Sequence, residues 1–153
     1  MTAAVVPLVL IGNGVAAGVM LSTVVGITPL TAVLSYDRYV ETIKFLWRRY
    51  DPMMPITNAA TFLLDGWLAV SLREQAAGAS FGAAALLLAT VMVISVVKNV
   101  PINKYVTGLD PARPPDDWAS ADPRDRWRRW NTTRTLLAFA ALAANVLGAA
   151  NLL

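Results

Sequence analysis

A chain of 153 residues has the length of a single domain, residues 1–153. Its 56% hydrophobic and 15% charged residues, with a mean hydropathy of +0.52, lie outside the range of soluble globular domains. The absence of His and Cys removes the commonest general base and metal ligand, together with disulfides and thiolate chemistry.

The apolar residues gather in four blocks, roughly 5–34, 55–72, 81–97 and 131–153. Each is near or above the ~17–25 residues that cross a ~30 Å hydrocarbon core. The pattern predicts an all-α, integral-membrane four-helix bundle. The first block reads as a span and not as a cleavable signal peptide, because no Lys or Arg precedes Arg38 and the apolar stretch is long. Within it Gly14, Gly18, Ser22 and Gly26 recur at every fourth position. Such a groove of small residues admits a close helix neighbour, from the same chain or from a second copy in a homo-oligomer.

After Pro29, the segment 35–50 (SYDRYVETIKFLWRRY) mixes aromatics with both charge signs. It is expected to lie as a cytoplasmic interfacial helix, ended by Asp51-Pro52 and Pro55, where the second span starts. On that span Asn58, Thr61 and Asp65 are spaced i, i+3, i+7 and share one face. Trp67 near its end suits an interfacial anchor. The short loop 73–80 makes the second and third spans an antiparallel hairpin.

The segment 98–130 is of another kind. Its stretch 108–125 holds four prolines and five aspartates, which excludes a continuous helix. A disordered linker is the simpler reading, but Tyr105, Trp118, Trp127 and Trp130 favour a Pro/Trp-rich cap loop ordered over the cytoplasmic mouth of the bundle. Residues 125–130 begin the last helix, along which Asn131, Arg134, Ala138, Ala141 and Asn145 follow one stripe.

Of the 13 basic residues, Arg38, Lys44, Arg48 and Arg49 fall between the first two spans, and Lys98, Lys104, Arg113, Arg124, Arg126, Arg128, Arg129 and Arg134 fall around the 98–134 segment. Arg73 alone lies in the other loop. By the positive-inside rule the basic segments are cytoplasmic and both termini are outside, in a multi-pass cell-membrane protein. The net charge of +3 is thus a topology signal, and nucleic acid is not an expected partner. Counted at ~1.5 Å per residue, Asp65 lies about 15 Å deep, near the midplane. A lone carboxylate there costs about 2.5–3.5 kcal/mol on insertion scales and marks a functional site by default. It forms the floor of a polar cup whose rim is Asn58, Asn103, Asn131 and Arg134, with Asn99 close by. Asn13 and Asn145 share a level in the outer half and read as interhelical hydrogen-bonding residues, a role open to the other amides too.

The pieces VPINKYV (100–106), PPDDW (114–118) and WRRWNTTRTLLAFAA (127–141), with the Gly-rich GVAAGVMLS (14–22), resemble the anthrone oxygenase-like family of small four-helix membrane proteins. The resemblance covers nearly the whole chain in architecture, with its motifs confined to 100–145. It implies oxidation of anthrones to anthraquinones by molecular oxygen without an obvious cofactor, in natural-product biosynthesis. The motif positions are Pro101, Asn103, Trp118, Trp127, Asn131 and Arg134. Family members commonly carry a His near the last-span motif; Asn131 in this chain departs from that, which speaks against a His-based mechanism or a His-bound metal.

An anthrone enolate gives an electron to O2 directly, so the protein needs a base, an oxyanion site and a pocket. Asp65 is the candidate base. Arg134, Asn103 and Asn131 are candidates to hold the phenolate or enolate oxygens, Trp118, Trp127 and Trp130 to cover the ring, and Asn58 and Thr61 to bind substrate. The expected partners are the lipid bilayer, a small aromatic polyketide and O2, with no cofactor and no metal. Haem or copper is disfavoured, although Met20, Met53, Met54 and Met92 and the tyrosines remain as ligand types. The same parts would serve a cofactor-free cyclase or isomerase of a polyketide. A different class is a non-catalytic membrane carrier or an anchor for a biosynthetic enzyme.

Overall fold

The computed structural model describes residues 2–153 as an all-helical chain. Helix α1 (Thr2–Ser22) runs through a π-turn at Thr23–Ile27 into the short α2 (Thr28–Val33). Helix α3 (Tyr36–Ser71) returns antiparallel. Helix α4 (Ala76–Ile94) passes through a second π-turn at Ser95–Asn99 into α5 (Val100–Gly108). A loop with the single turn α6 (Trp118–Ala121) leads to α7 (Arg124–Ala150). Each long helix packs on two neighbours in a ring, α1 against α3 and α7, and α4 against α3 and α7.

The bundle is apolar outside, and its interior holds polar side chains among the apolar ones. Asn13, Thr61, Asp65, Asn131, Thr135 and Asn145 are buried, whereas Leu8, Ile11, Leu63, Leu86, Val93, Leu136 and Leu147 are exposed. In water this arrangement would leave far more apolar helix surface open than monomeric soluble proteins present. Three segments, Ala4–Val33, Ala76–Gly108 and Trp118–Ala150, are long and apolar enough to cross a membrane. Helix α3 is not among them, since Asn58, Thr61 and Asp65 fall within its most apolar stretch.

The expected break at Asp51-Pro52 and Pro55 is absent: α3 continues unbroken for 36 residues. Each proline removes a backbone donor and normally ends or kinks a helix. Both are exposed, and Pro55 also borders the cavity described below. Burial on either side holds the helix together, through Tyr39, Val40 and Ile43 before the prolines and Asn58, Thr61, Asp65 and Leu68 after them. The segment 35–50 is therefore the first half of a long bundle helix, not a separate one. The third expected span, 81–97, is likewise part of a longer helical column, from Ala76 to Gly108.

Both π-turns precede prolines and share a pattern, TVVGITP and SVVKNVP. A proline cannot donate to the carbonyl four residues back and crowds it. Widening the preceding turn by one residue accommodates this, so that Thr28 N–H bonds Thr23 O and Val100 N–H bonds Ser95 O.

The Pro-rich loop is ordered against α3. Tyr36 Oη donates to the Asp110 carbonyl (2.9 Å), Lys44 Nζ to Leu109 O (2.7 Å), and Arg124 Nη1 to Leu34 O (2.9 Å). Trp118 meets Tyr36 edge-on with ring centroids 4.7 Å apart, and the Arg124 guanidinium lies over Tyr39 at 4.5 Å. These contacts close one end of the bundle around the cluster of Tyr39, Val40, Ile43, Ile102 and Val106.

Candidate functional site

A cavity of about 310 Å³ lies beneath that closed end, between the two π-turns and the middle of α3. Its size is near the lower end of small-molecule sites. The walls are mostly apolar and aromatic, with Trp47 and Tyr50 from α3, Trp127 from α7, and Met20, Met54 and Met92 around them. Thioethers and aromatic faces suit a flat, polarizable ligand.

Its polar groups fall into two sets. The first is hydrogen-bonded within the protein and positions one cation. Arg134 Nε and Nη2 both donate to Asn131 Oδ1, at 3.0 and 2.8 Å, and Nη1 donates to Ser95 Oγ at 3.2 Å. Asn131 Nδ2 donates in turn to Thr23 Oγ1 (2.8 Å), whose own hydroxyl donates to Met20 O (2.7 Å). Both π-turns thus contribute their first residue to the seat of one guanidinium. Three of its five N–H groups are used, so two remain. Among the described residues Arg134 forms no salt bridge.

The second set has no protein partners. Asn99, on the second π-turn, is 1% exposed and neither amide atom is hydrogen-bonded. Asn58 Oδ1 and Trp127 Nε1 are likewise buried and unpaired. Asn103 completes the amide wall and Asp51 is a carboxylate on it. Native proteins leave few buried polar atoms unpaired, so several on one cavity point to a bound partner.

The residues expected from sequence divide accordingly. Arg134, Asn58, Asn103 and Trp127 line the cavity. Asn131 does not; it is fully buried and both ends of its amide are committed, which makes it a support for Arg134. Asp65 does not line the cavity. It is fully buried further along α3, where Asn145 Nδ2 donates to its Oδ2 at 3.4 Å and, with the Asn13 amide assigned in the orientation that pairs both its atoms, to Asn13 Oδ1 at 3.1 Å. Thr61 faces Gly12, where a Cβ would come within 2.5 Å of its Oγ1, and so marks a close approach of α1 and α3. Trp118 packs on Tyr36 and Tyr39 in the closing loop, and Trp130 takes the Lys98 ammonium over its ring at 5.2 Å. Thr23, Ser95, Trp47, Tyr50 and Asp51 join the site without having been expected there. The repeated hydroxyl-Val-Val pattern ahead of a proline is the signal that marks the first two.

Fold and site define a class: a helical bundle with membrane-length apolar segments around an aromatic-walled cavity that holds one fixed cation. The family model described as Anthrone oxygenase matches residues 44–144, more than half of the chain. The chain belongs to the anthrone oxygenase family, an oxygenase-like family. Comparison with curated proteins and with solved structures finds no match. The matched segment contains Asp51, Asn58, Ser95, Asn99, Asn103, Trp127 and Arg134, and begins beyond Thr23.

Proposed function

We propose that this protein is a membrane-embedded, cofactor-independent oxygenase that converts an anthrone-like polycyclic aromatic polyketide to a quinone in natural-product biosynthesis. The observation that carries the reading is Arg134, a guanidinium fixed on the wall of an aromatic cavity with no acidic partner among the described residues. Such a group is preorganised for an oxygen that becomes negative during the reaction.

The chemistry runs as follows. A base removes one proton from the methylene of the anthrone, and the resulting enolate oxygen rests on Arg134. The enolate gives one electron to O2, and the radical and superoxide combine at the former methylene carbon. The base returns its proton to the peroxide oxygen. Loss of water then leaves the second carbonyl, so that CH2 and O2 become C=O and H2O. Asp51, the carboxylate on the cavity wall, is the base in this reading, in place of the more distant Asp65.

In the bilayer, the second half of α3 accompanies the three apolar segments as a fourth span, because it packs between α1 and α4. At ~1.5 Å per residue the whole of α3 is about 54 Å long, well beyond a ~30 Å core, so its first half stands at the cytoplasmic surface with the basic loop. The cavity then sits just inside that surface of the cell membrane.

The test is oxygen uptake by the detergent-solubilised protein given 1,8-dihydroxyanthrone. Uptake above the uncatalysed rate, one O2 for each quinone formed, is expected. Consumption no faster than in the Arg134→Gln variant would sink the oxygenase reading, and conversion without oxygen uptake would indicate a cyclase or isomerase.

A further inference from the structure

We propose that Asn99, with Asn58 on the same cavity, selects substrates by a hydroxyl–carbonyl edge: the ligand must carry a free O–H next to its C=O. The inference rests on the oxygenase reading of this cavity and names the feature that the cavity recognises.

An amide offers one acceptor and two donors. Asn99 is 1% exposed, lines the cavity, and has both Oδ1 and Nδ2 unpaired. Whichever way the amide is turned, it needs a donor and an acceptor from the ligand. Asn58 adds a further buried acceptor in Oδ1. The wall also offers donors, from Arg134 and the unpaired Trp127 Nε1, beside the mixed amide of Asn103 and the Asp51 carboxylate. A plain ketone supplies acceptors alone. It would satisfy Arg134 and Trp127 and leave the Asn99 and Asn58 oxygens buried without a proton. A hydroxyl beside the carbonyl supplies the missing donor, since its proton can leave the internal bond to that carbonyl for the amide oxygen once Arg134 and Trp127 take the carbonyl. A methyl ether at that position removes the donor and adds bulk against the amide wall.

The π-turn explains why this amide stays free. Ser95 and Asn99 are its first and last residues and both line the cavity. Ser95 Oγ donates to Val91 O (2.8 Å) and accepts from Arg134, which leaves it committed and Asn99 without a neighbour to pair with.

Sites built to hydrogen-bond a hydroxyl reject analogues that lack it far more strongly than apolar pockets reject an extra methylene. The probes are 1,8-dihydroxyanthrone, 1,8-dimethoxyanthrone and unsubstituted anthrone, with affinity read from tryptophan fluorescence and turnover from oxygen uptake. Wild-type protein is expected to bind the dihydroxy compound at least about tenfold more tightly than either of the others. The Asn99→Leu variant is expected to lose most of that difference, chiefly by weaker binding of the dihydroxy compound. Equal binding of all three probes by the wild type, with oxygen uptake intact, overturns the selectivity and leaves the oxygenase reading standing. Undiminished discrimination in Asn99→Leu also overturns it, since water would then be what fills the amide. If no probe is bound or oxidised, the oxygenase reading itself fails. The wild-type comparison decides the matter even where the variant does not fold.

Discussion

Asn131 Oδ1 accepts two hydrogen bonds from Arg134, one turn further along α7, at 3.0 and 2.8 Å, while its Nδ2 reaches across to Thr23 at 2.8 Å. The amide holds the guanidinium without neutralising it. An Asp in its place would make an ion pair and cancel the charge that an enolate is to meet.

Replacing Asn131 by Asp should therefore preserve the position of Arg134 and lower turnover. Arg134→Gln should be more severe, a loss of about 10²–10³ in kcat, the usual effect of deleting an oxyanion donor. Oxygen uptake measured against substrate concentration separates the loss in kcat from a change in KM. Equal activity of Arg134→Gln and wild type would remove Arg134 from the site.

The two carboxylates make opposite predictions. Asp51→Asn should lower kcat about 10²–10⁴-fold, as loss of a general base does, with ligand affinity retained. Asp65→Asn should cost far less activity, because Asp65 lies in the separate buried cluster with Asn145 and Asn13 and the amide keeps an acceptor for Asn145. The reverse order of activity loss would restore Asp65 as the base.

Gly12→Ala places a methyl group 2.5 Å from Thr61 Oγ1 and should destabilise the bundle by about 1–3 kcal/mol, an overpacking cost. Thr61→Ala removes that oxygen and leaves a Cβ at 3.8 Å, an ordinary contact. The double variant should regain the loss, helped by the better helix propensity of Ala over Gly. Thermal unfolding of both variants in detergent measures it.

Pro101→Ala returns a backbone donor to the helix and removes the reason for the second π-turn. The column from Ala76 to Gly108 should become more stable, and Ser95 and Asn99 should turn away from the cavity. A displacement of about 1 Å at a reacting centre costs as much as 10²-fold in rate, so turnover should fall as thermal stability rises. A variant that is both more stable and fully active would separate the π-turn from function.

Much of the frame was legible. The long apolar blocks marked the helices, and the spacing of Asn58, Thr61 and Asp65 gave their inward face, since all three are buried. The prolines misled: Pro52 and Pro55 suggested a boundary, yet α3 runs through both, held by the buried residues on either side. Depth counted along one helix put Asp65 beneath Arg134. What joins Asp65 to Asn145 is the packing of α3 in the bundle, and no count along a single helix contains it. Asn131 was legible as important and not as a support, because its role depends on where Thr23 of another helix falls.

The two π-turns carry a consequence for the whole chain. Each ends an apolar helix at a hydroxyl, two valines and a proline, and each is followed by a partner helix bearing an inward Asn, Asn58 in one half and Asn131 in the other, at nearly the same spacing. The chain reads as one plan executed twice. Asn131 takes the hydroxyl of the opposite half, Thr23. By the same symmetry Asn58 would take Ser95, but Arg134 has claimed that hydroxyl. The break shows on the cavity wall as the unpaired Asn58 Oδ1, since Asn131 Oδ1 holds Arg134 three residues on and the matching position after Asn58 is Thr61, with no guanidinium to offer.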